Sequence, residues 1–272
     1  MLPIFDVALA GIDRMVRRLP CLLAIYWLPW LLGTIVLVIL EVVGQDQLRL
    51  GRAPDWARSI AWAPFAAMAY VMLLRWVLRG DAPVRAINLD FGRETWVATP
   101  IVAAWLVVNV AIGDAPTSLL ARLMLPSDPL AFQWEDVAIY YHAFQIAAGF
   151  VNGVLSACFF GLVAIVAQHG RPDLRELGRL LRLQPMRLLC ISLLAAVAVG
   201  GAVRLCSQAL AWFGVGHLAP AGMIPWRVNA HWAFVAELPY FPIHFLEFAI
   251  QGCVLAEAYR RLLLSPDLRA HR

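Results

Sequence analysis

Apolar residues along this chain collect into six long runs, at about residues 21–43, 60–77, 96–112, 137–168, 188–213 and 233–259. A helix needs roughly 20 apolar residues to cross a bilayer. The runs therefore predict six transmembrane helices, the fourth long enough to tilt or to project past the membrane. Amphipathic segments lie between or before them. Phe5, Leu9, Ile12, Val16 and Leu19 follow helical spacing on one face, with Asp6, Asp13, Arg14, Arg17 and Arg18 on the other. This predicts a helix over 5–19 lying in the membrane interface and broken at Pro20. A second such segment carries Val84, Ile87 and Phe91. A third carries Leu174, Leu177 and Leu181 beside Arg175, Arg179 and Arg182, and ends at Pro185. A Pro- and Asp-rich loop is expected after the third run, with Leu119–Leu125 as a short interfacial helix within it. Pro239 and Pro242 predict a kink near the start of the sixth span.

The amphipathic segments suggest a repeat. Val84, Ile87 and Phe91 align with Leu174, Leu177 and Leu181 at an offset of ninety, as do Gly80 with Gly170 and Arg85 with Arg175. Leu9, Ile12 and Val16 have the same internal spacing. The expected fold is all-α and integral to the membrane. It is a single polytopic unit over 1–272, built as three repeats of one amphipathic helix and two spans.

Composition agrees with that class. Of 272 residues, 62% are hydrophobic and 15% charged, whereas a soluble domain is about half apolar and a quarter charged. The formal charge is +4, and all 22 basic residues are arginine, as expected of a GC-rich bacterial genome. On the six-span topology sixteen arginines fall on one side and five on the other, with Arg204 inside a span. The bias places both termini in the cytoplasm of a bacterial inner membrane. The three amphipathic helices then meet anionic lipid headgroups on the cytoplasmic leaflet. About twenty residues precede the first run, which is too long for a signal-peptide core, so no cleavable signal is expected. No basic patch with interleaved aromatics stands clear of the spans, which argues against nucleic acid as a partner.

The chemistry-bearing stretch lies in the sixth run. Glu237, Tyr240, His244, Glu247 and Gln251 fall within roughly 80° of helical arc at 100° per residue. A polar stripe in a membrane helix should face protein or water. At 1.5 Å per residue, Arg204 and His244 both lie roughly 24 Å from the cytoplasmic boundary and Glu247 roughly 20 Å. An Arg204–Glu247 ion pair between the fifth and sixth spans is the sharp expectation, because an unpaired charge at that depth costs several kcal/mol. The seam is open to three readings: structural glue, a proton or ion path with Glu247 and His244 as titratable stations, or Arg204 snorkelling while Glu247 faces water.

Other positions read as packing. Gly149, Gly153, Ala157 and Gly161 recur every four residues and let another helix approach closely. Asn109 and Asn152 are expected to bond across helices. Tryptophans near the ends of the spans, Trp30 among those at the inner ends, read as aromatic belts. The five cysteines form no CxxC pair and read as small buried hydrophobes. No HExxH, GxSxG or P-loop occurs, and the lysine of a lipid-phosphatase signature is absent. No metal, no cofactor and no catalytic residue is expected.

The amphipathic openers ending at Pro20 and Pro185 and the closing AEAYRRL at Ala256–Leu262 carry a resemblance. The layout resembles six-span bacterial inner-membrane families, the YciC-like family and the membrane domain attached to some glycerophosphodiester phosphodiesterases. The resemblance implies a helical membrane module of unassigned activity, without the phosphodiesterase domain. The expected function is therefore non-enzymatic, organising or assisting lipids or partner proteins, self-association included. The alternative is a small transporter or proton-linked permease that uses Glu247 and His244.

Overall fold

A chain that sits in lipid must satisfy its backbone polar groups internally, which leaves the helix as the simplest solution. A computed structural model describes residues 3–48, 55–80, 89–124, 134–212, 238 and 241–263, and its regular structure there is wholly helical. Eight helices follow in order among these residues: α1 Ile4–Arg17, α2 Leu19–Leu48, α3 Asp55–Arg79, α4 Arg93–Met124, α5 Trp134–His169, α6 Leu174–Leu183, α7 Pro185–Trp212 and α8 Phe241–Leu263. Five of them hold a segment long and apolar enough to cross a membrane: Leu19–Leu40, Trp56–Arg79, Arg93–Ile112, Ala147–His169 and Pro185–Ala202. The chain is a multi-pass, membrane-embedded protein by this measure.

Prolines mark the joints. Pro20 lies in the first turn of α2 and Pro185 opens α7, positions where the missing N–H is not needed. Pro242 likewise falls in the first turn of α8, where it requires no kink. Pro239 lies outside the described residues. The loop expected after the third span is instead helical as far as Met124, so α4 absorbs most of the short helix expected at Leu119–Leu125. Its Leu-, Ala- and Arg-rich sequence has the propensity to continue the turn. Val84 and Ile87 of the second amphipathic segment lie outside the described residues, and Phe91 precedes α4, stacked on Trp96.

Two helix ends share one device. Gly80 and Gly170 have φ of 79° and 71°, a left-handed conformation that glycine adopts without strain, and their N–H groups close the last turns of α3 and α5. Arg79 at the end of α3 donates to the carbonyl of Gln168 at the end of α5, 2.7 Å away. Arg75 pairs with Asp90 just ahead of α4 at 2.5 Å. The ends of α3 and α5 and the start of α4 therefore lie at one end of the bundle. Beside them the Asp173 carboxylate caps α6; the N–H groups of Glu176 and Arg175 hold its pKa below the usual carboxylate value.

The core is organised around α8. Fifteen of its 23 residues are buried. It packs against α1, α2, α3, α5 and α7. Small residues permit this enclosure. The Tyr259 hydroxyl donates to the Ala157 carbonyl of α5 at 2.6 Å, above Gly161, where a side chain would come within 2.5 Å of the same hydroxyl. On α7, Ser192 donates to the carbonyl of Gly153 at 2.8 Å. Gly149 does not share this packing: a side-chain carbon there would meet nothing within 4 Å. The close-packed face of α5 thus runs from Gly153 through Ala157 to Gly161.

α1 meets α8 through a strip other than its apolar face. Phe5, Leu9 and Val16 are exposed, whereas Val7, Ala8 and Gly11 are buried. The large side chains look outward and the small ones take the helix contact. A Cβ on Gly11 would lie 2.7 Å from the backbone Cα of Val254. One turn further on, Arg14 reaches the buried carboxylate of Glu257 at 2.9 Å. Arg260 and Arg261 bind the same carboxylate. In α6 the buried leucines are Leu177 and Leu180, while Leu174, assigned to the apolar face, is 72% exposed.

Gly11→Ala is expected to destabilise the protein by about 1–3 kcal/mol, because the clash falls on backbone that cannot turn away. Gly149→Ala is expected to be neutral or slightly stabilising; thermal unfolding in detergent distinguishes the two. Glu257→Gln strands three guanidinium groups around a neutral amide. Loss of a buried charge partner costs about 3–5 kcal/mol, and the partial exposure of the arginines places this change toward the lower figure. The same melting assay reads it.

Candidate functional site

Helices α2, α3, α4, α5, α7 and α8 line an open-sided cavity of about 580 Å³. This is the size range of small-molecule sites, roughly 300–1,000 Å³. Its α3 wall runs from Arg58 to Tyr70 and its α8 wall from His244 to Gln251, short of the C-terminal turns of both helices. It therefore lies toward the end of the bundle opposite Glu257 and the Arg75–Asp90 pair.

The polar wall is the inner part of the stripe seen in the sequence. His244, Glu247 and Gln251 all line the cavity. Their i, i+3, i+7 spacing places them on one face of α8 while Phe245, Phe248 and Ala249 turn into the core. His244 Nδ1 stands 3.5 Å from Glu247 Oε2, and the two side chains are 46% and 43% accessible. Glu247 is within electrostatic range of the phenols of Tyr26 and Tyr70.

The facing helices add polar groups at matching depth. Trp105 of α4 donates to Ser156 of α5 at 3.2 Å, and the Ser156 hydroxyl donates to Asn152 at 3.4 Å. Asn152 thus bonds within its own helix, and Ser156 carries the link between helices. The Asn109 side-chain oxygen is buried against the cavity without a hydrogen-bond partner among the described residues. The aromatic wall is equally ordered. The Phe248 ring stacks on Tyr26 with centroids 4.7 Å apart and lies 5.2 Å from Tyr70. Trp30, placed in an aromatic belt by its position in the sequence, is buried here edge-on to Phe241.

Some of the expected constellation lies elsewhere. Glu237 and Tyr240 are outside the described residues. Arg204 belongs to α7, but its side chain is outside the described part, and the neighbour of Glu247 among the described residues is the His244 imidazole. Tyr26, Tyr70, Trp105 and Ser156 were not singled out from the sequence. Polar or aromatic character inside an apolar run was the available signal, but only packing shows that these four converge.

The arrangement sets an imidazole beside a carboxylate and offers hydrogen bonds and aromatic faces to a small solute. No group of three or more His, Cys, Asp or Glu side chains able to hold a metal ion occurs among the described residues. All five cysteines are free thiols, Cys253 buried and the other four half-buried. In comparisons with known proteins, no family model, no curated protein and no solved structure matches this chain.

Proposed function

We propose that this chain is a non-enzymatic inner-membrane protein, a small proton-linked permease whose solute path runs through the cavity beside His244, Glu247 and Gln251. The observation that carries this reading is the accessibility of Glu247 within a cavity of about 580 Å³. A carboxylate kept only as glue between two spans has no reason to line open space, whereas a transport carboxylate must be reached by water or solute. The unpartnered Asn109 oxygen supports the same reading, since a buried acceptor is costly unless something binds it.

The topology proposed with it has six spans, α8 being the sixth, and three amphipathic helices on the cytoplasmic leaflet. Both termini are then cytoplasmic. In support, arginines at the ends of α3 and α8 and in α1 make their bonds at the bundle end opposite the cavity. The paired glycine ends at Gly80 and Gly170 favour the ninety-residue repeat. The second reading, a module that organises lipids or partner proteins, is favoured by the exposed Phe5, Leu9 and Val16 of α1.

Proton flux in liposomes, driven by a potassium diffusion potential and read by an entrapped pH dye, separates these readings. Glu247→Gln is expected to lower flux by about a hundredfold or more, the scale of losing a positioned acid–base group. Equal flux from wild type, Glu247→Gln and empty liposomes would leave only the organising role. For topology, green fluorescent protein fused at the C-terminus should be bright and alkaline phosphatase fused there inactive. The reverse pattern would place the C-terminus outside the cytoplasm.

A further inference from the structure

Glu257 is 1% exposed and is bound by three guanidinium groups. Arg260 grips it with two bonds, at 2.9 and 2.7 Å. Arg14 reaches it through Nη2 and Arg261 through Nε, each at 2.9 Å. One negative charge therefore stands among three positive ones. Among the described residues no other acid pairs with these arginines; Asp13, the nearest acid in sequence to Arg14, pairs with Arg17. The C-terminal end of α8 offsets a fraction of the excess, about half a charge. About one and a half positive charges remain unbalanced.

We propose that Glu257 holds Arg14, Arg260 and Arg261 as a binding site for the phosphate of an anionic membrane phospholipid. The three side chains are only 27–32% exposed, so an arriving phosphate meets donors already oriented by the buried carboxylate. The geometry leaves the Nη groups of Arg261 and Nε and Nη1 of Arg14 outside the bonds to Glu257. Guanidinium groups suit phosphate because their donors match its oxygens in pairs.

The source is a lipid rather than a free ion because these arginines lie at one end of a membrane-embedded bundle, where basic side chains meet lipid headgroups. At about 100° per residue, Phe5, Leu9 and Val16 form one strip, Asp6, Asp13 and Arg17 a second, and Val7, Ala8 and Gly11 a third that is buried on α8. Arg14 borders the polar and buried strips. The exposed apolar strip lies on the far side of α1 from Arg14, so the lipid is held at its phosphate. The site is separate from the cavity and does not depend on the transport reading.

The test is a titration of the purified protein in neutral detergent with short-chain phosphatidylglycerol. Phosphatidylcholine and sodium phosphate form separate arms, and thermal shift and native mass spectrometry are the readouts. Phosphatidylglycerol is expected to raise Tm saturably and to remain bound, while phosphatidylcholine and phosphate do neither. Arg261→Gln keeps Arg14 and Arg260 on Glu257, and is expected to weaken phosphatidylglycerol binding about fivefold or more. Arg17→Gln is expected to bind as wild type. Arg14→Lys, which keeps the charge and loses the fork, provides a second variant if Arg261→Gln melts low without lipid; it too is expected to bind more weakly. Wild-type affinity in folded Arg261→Gln and Arg14→Lys, or equal shifts from phosphatidylcholine, would overturn the proposal. A shift from phosphate alone equal to that from phosphatidylglycerol would overturn the lipid as the source.

Discussion

A buried carboxylate surrounded by arginines is the constraint on which the arrangement of α1 and α8 depends. Glu257 cannot remain ionised inside the bundle without partners, and those partners come from two places in the chain. Two are its neighbours one turn on, which any helix would supply. The third comes from Arg14, more than two hundred residues away, and its position requires α1 to lie directly on α8. Gly11 makes that approach sterically available, and Arg14 gives it one register. Together they set the first helix of the chain against its last described helix and leave the large apolar residues of α1 facing outward.

Enclosure of α8 follows from the same economy of side chains. Its second half carries Gly252, Cys253, Ala256 and Ala258, small enough for several helices to pack around it at once. Its first half carries His244, Glu247 and Gln251, which cannot be packed that way without desolvating them. The helix therefore has a tight end and a polar end. The tight end coincides with Glu257, Tyr259 and the close-packed face of α5. The polar end coincides with the cavity, so the contrast between the two halves of one helix positions the candidate site.

Much of this was legible along the chain. Long apolar runs and turn-forming prolines predict helices because a bilayer leaves few other choices for the backbone, and five of the runs correspond to helices apolar enough to cross. The polar face formed by His244, Glu247 and Gln251 was also legible, since helical spacing alone places them together. Less legible was the end of α4, because a Pro- and Asp-containing segment reads as a loop until the helix-forming residues after it are seen to continue the turn. The apolar face of α1 was visible, but its partner was not. Size, rather than hydrophobicity, decided which strip of that helix was buried.

The amino-acid sequence by itself determined an all-helical, membrane-embedded chain and the periodic faces of its helices. These depend on hydropathy and on a repeat of 3.6 residues per turn, both local quantities. Tertiary structure alone decided that Arg14 belongs to Glu257, that Trp105 reaches Ser156, and that Tyr26 and Tyr70 flank Phe248 beside Glu247. Those pairings join residues far apart in the chain. They depend on which helices become neighbours and in what rotation, and that is set by the close approach of small residues and the cost of leaving a buried polar group unpaired.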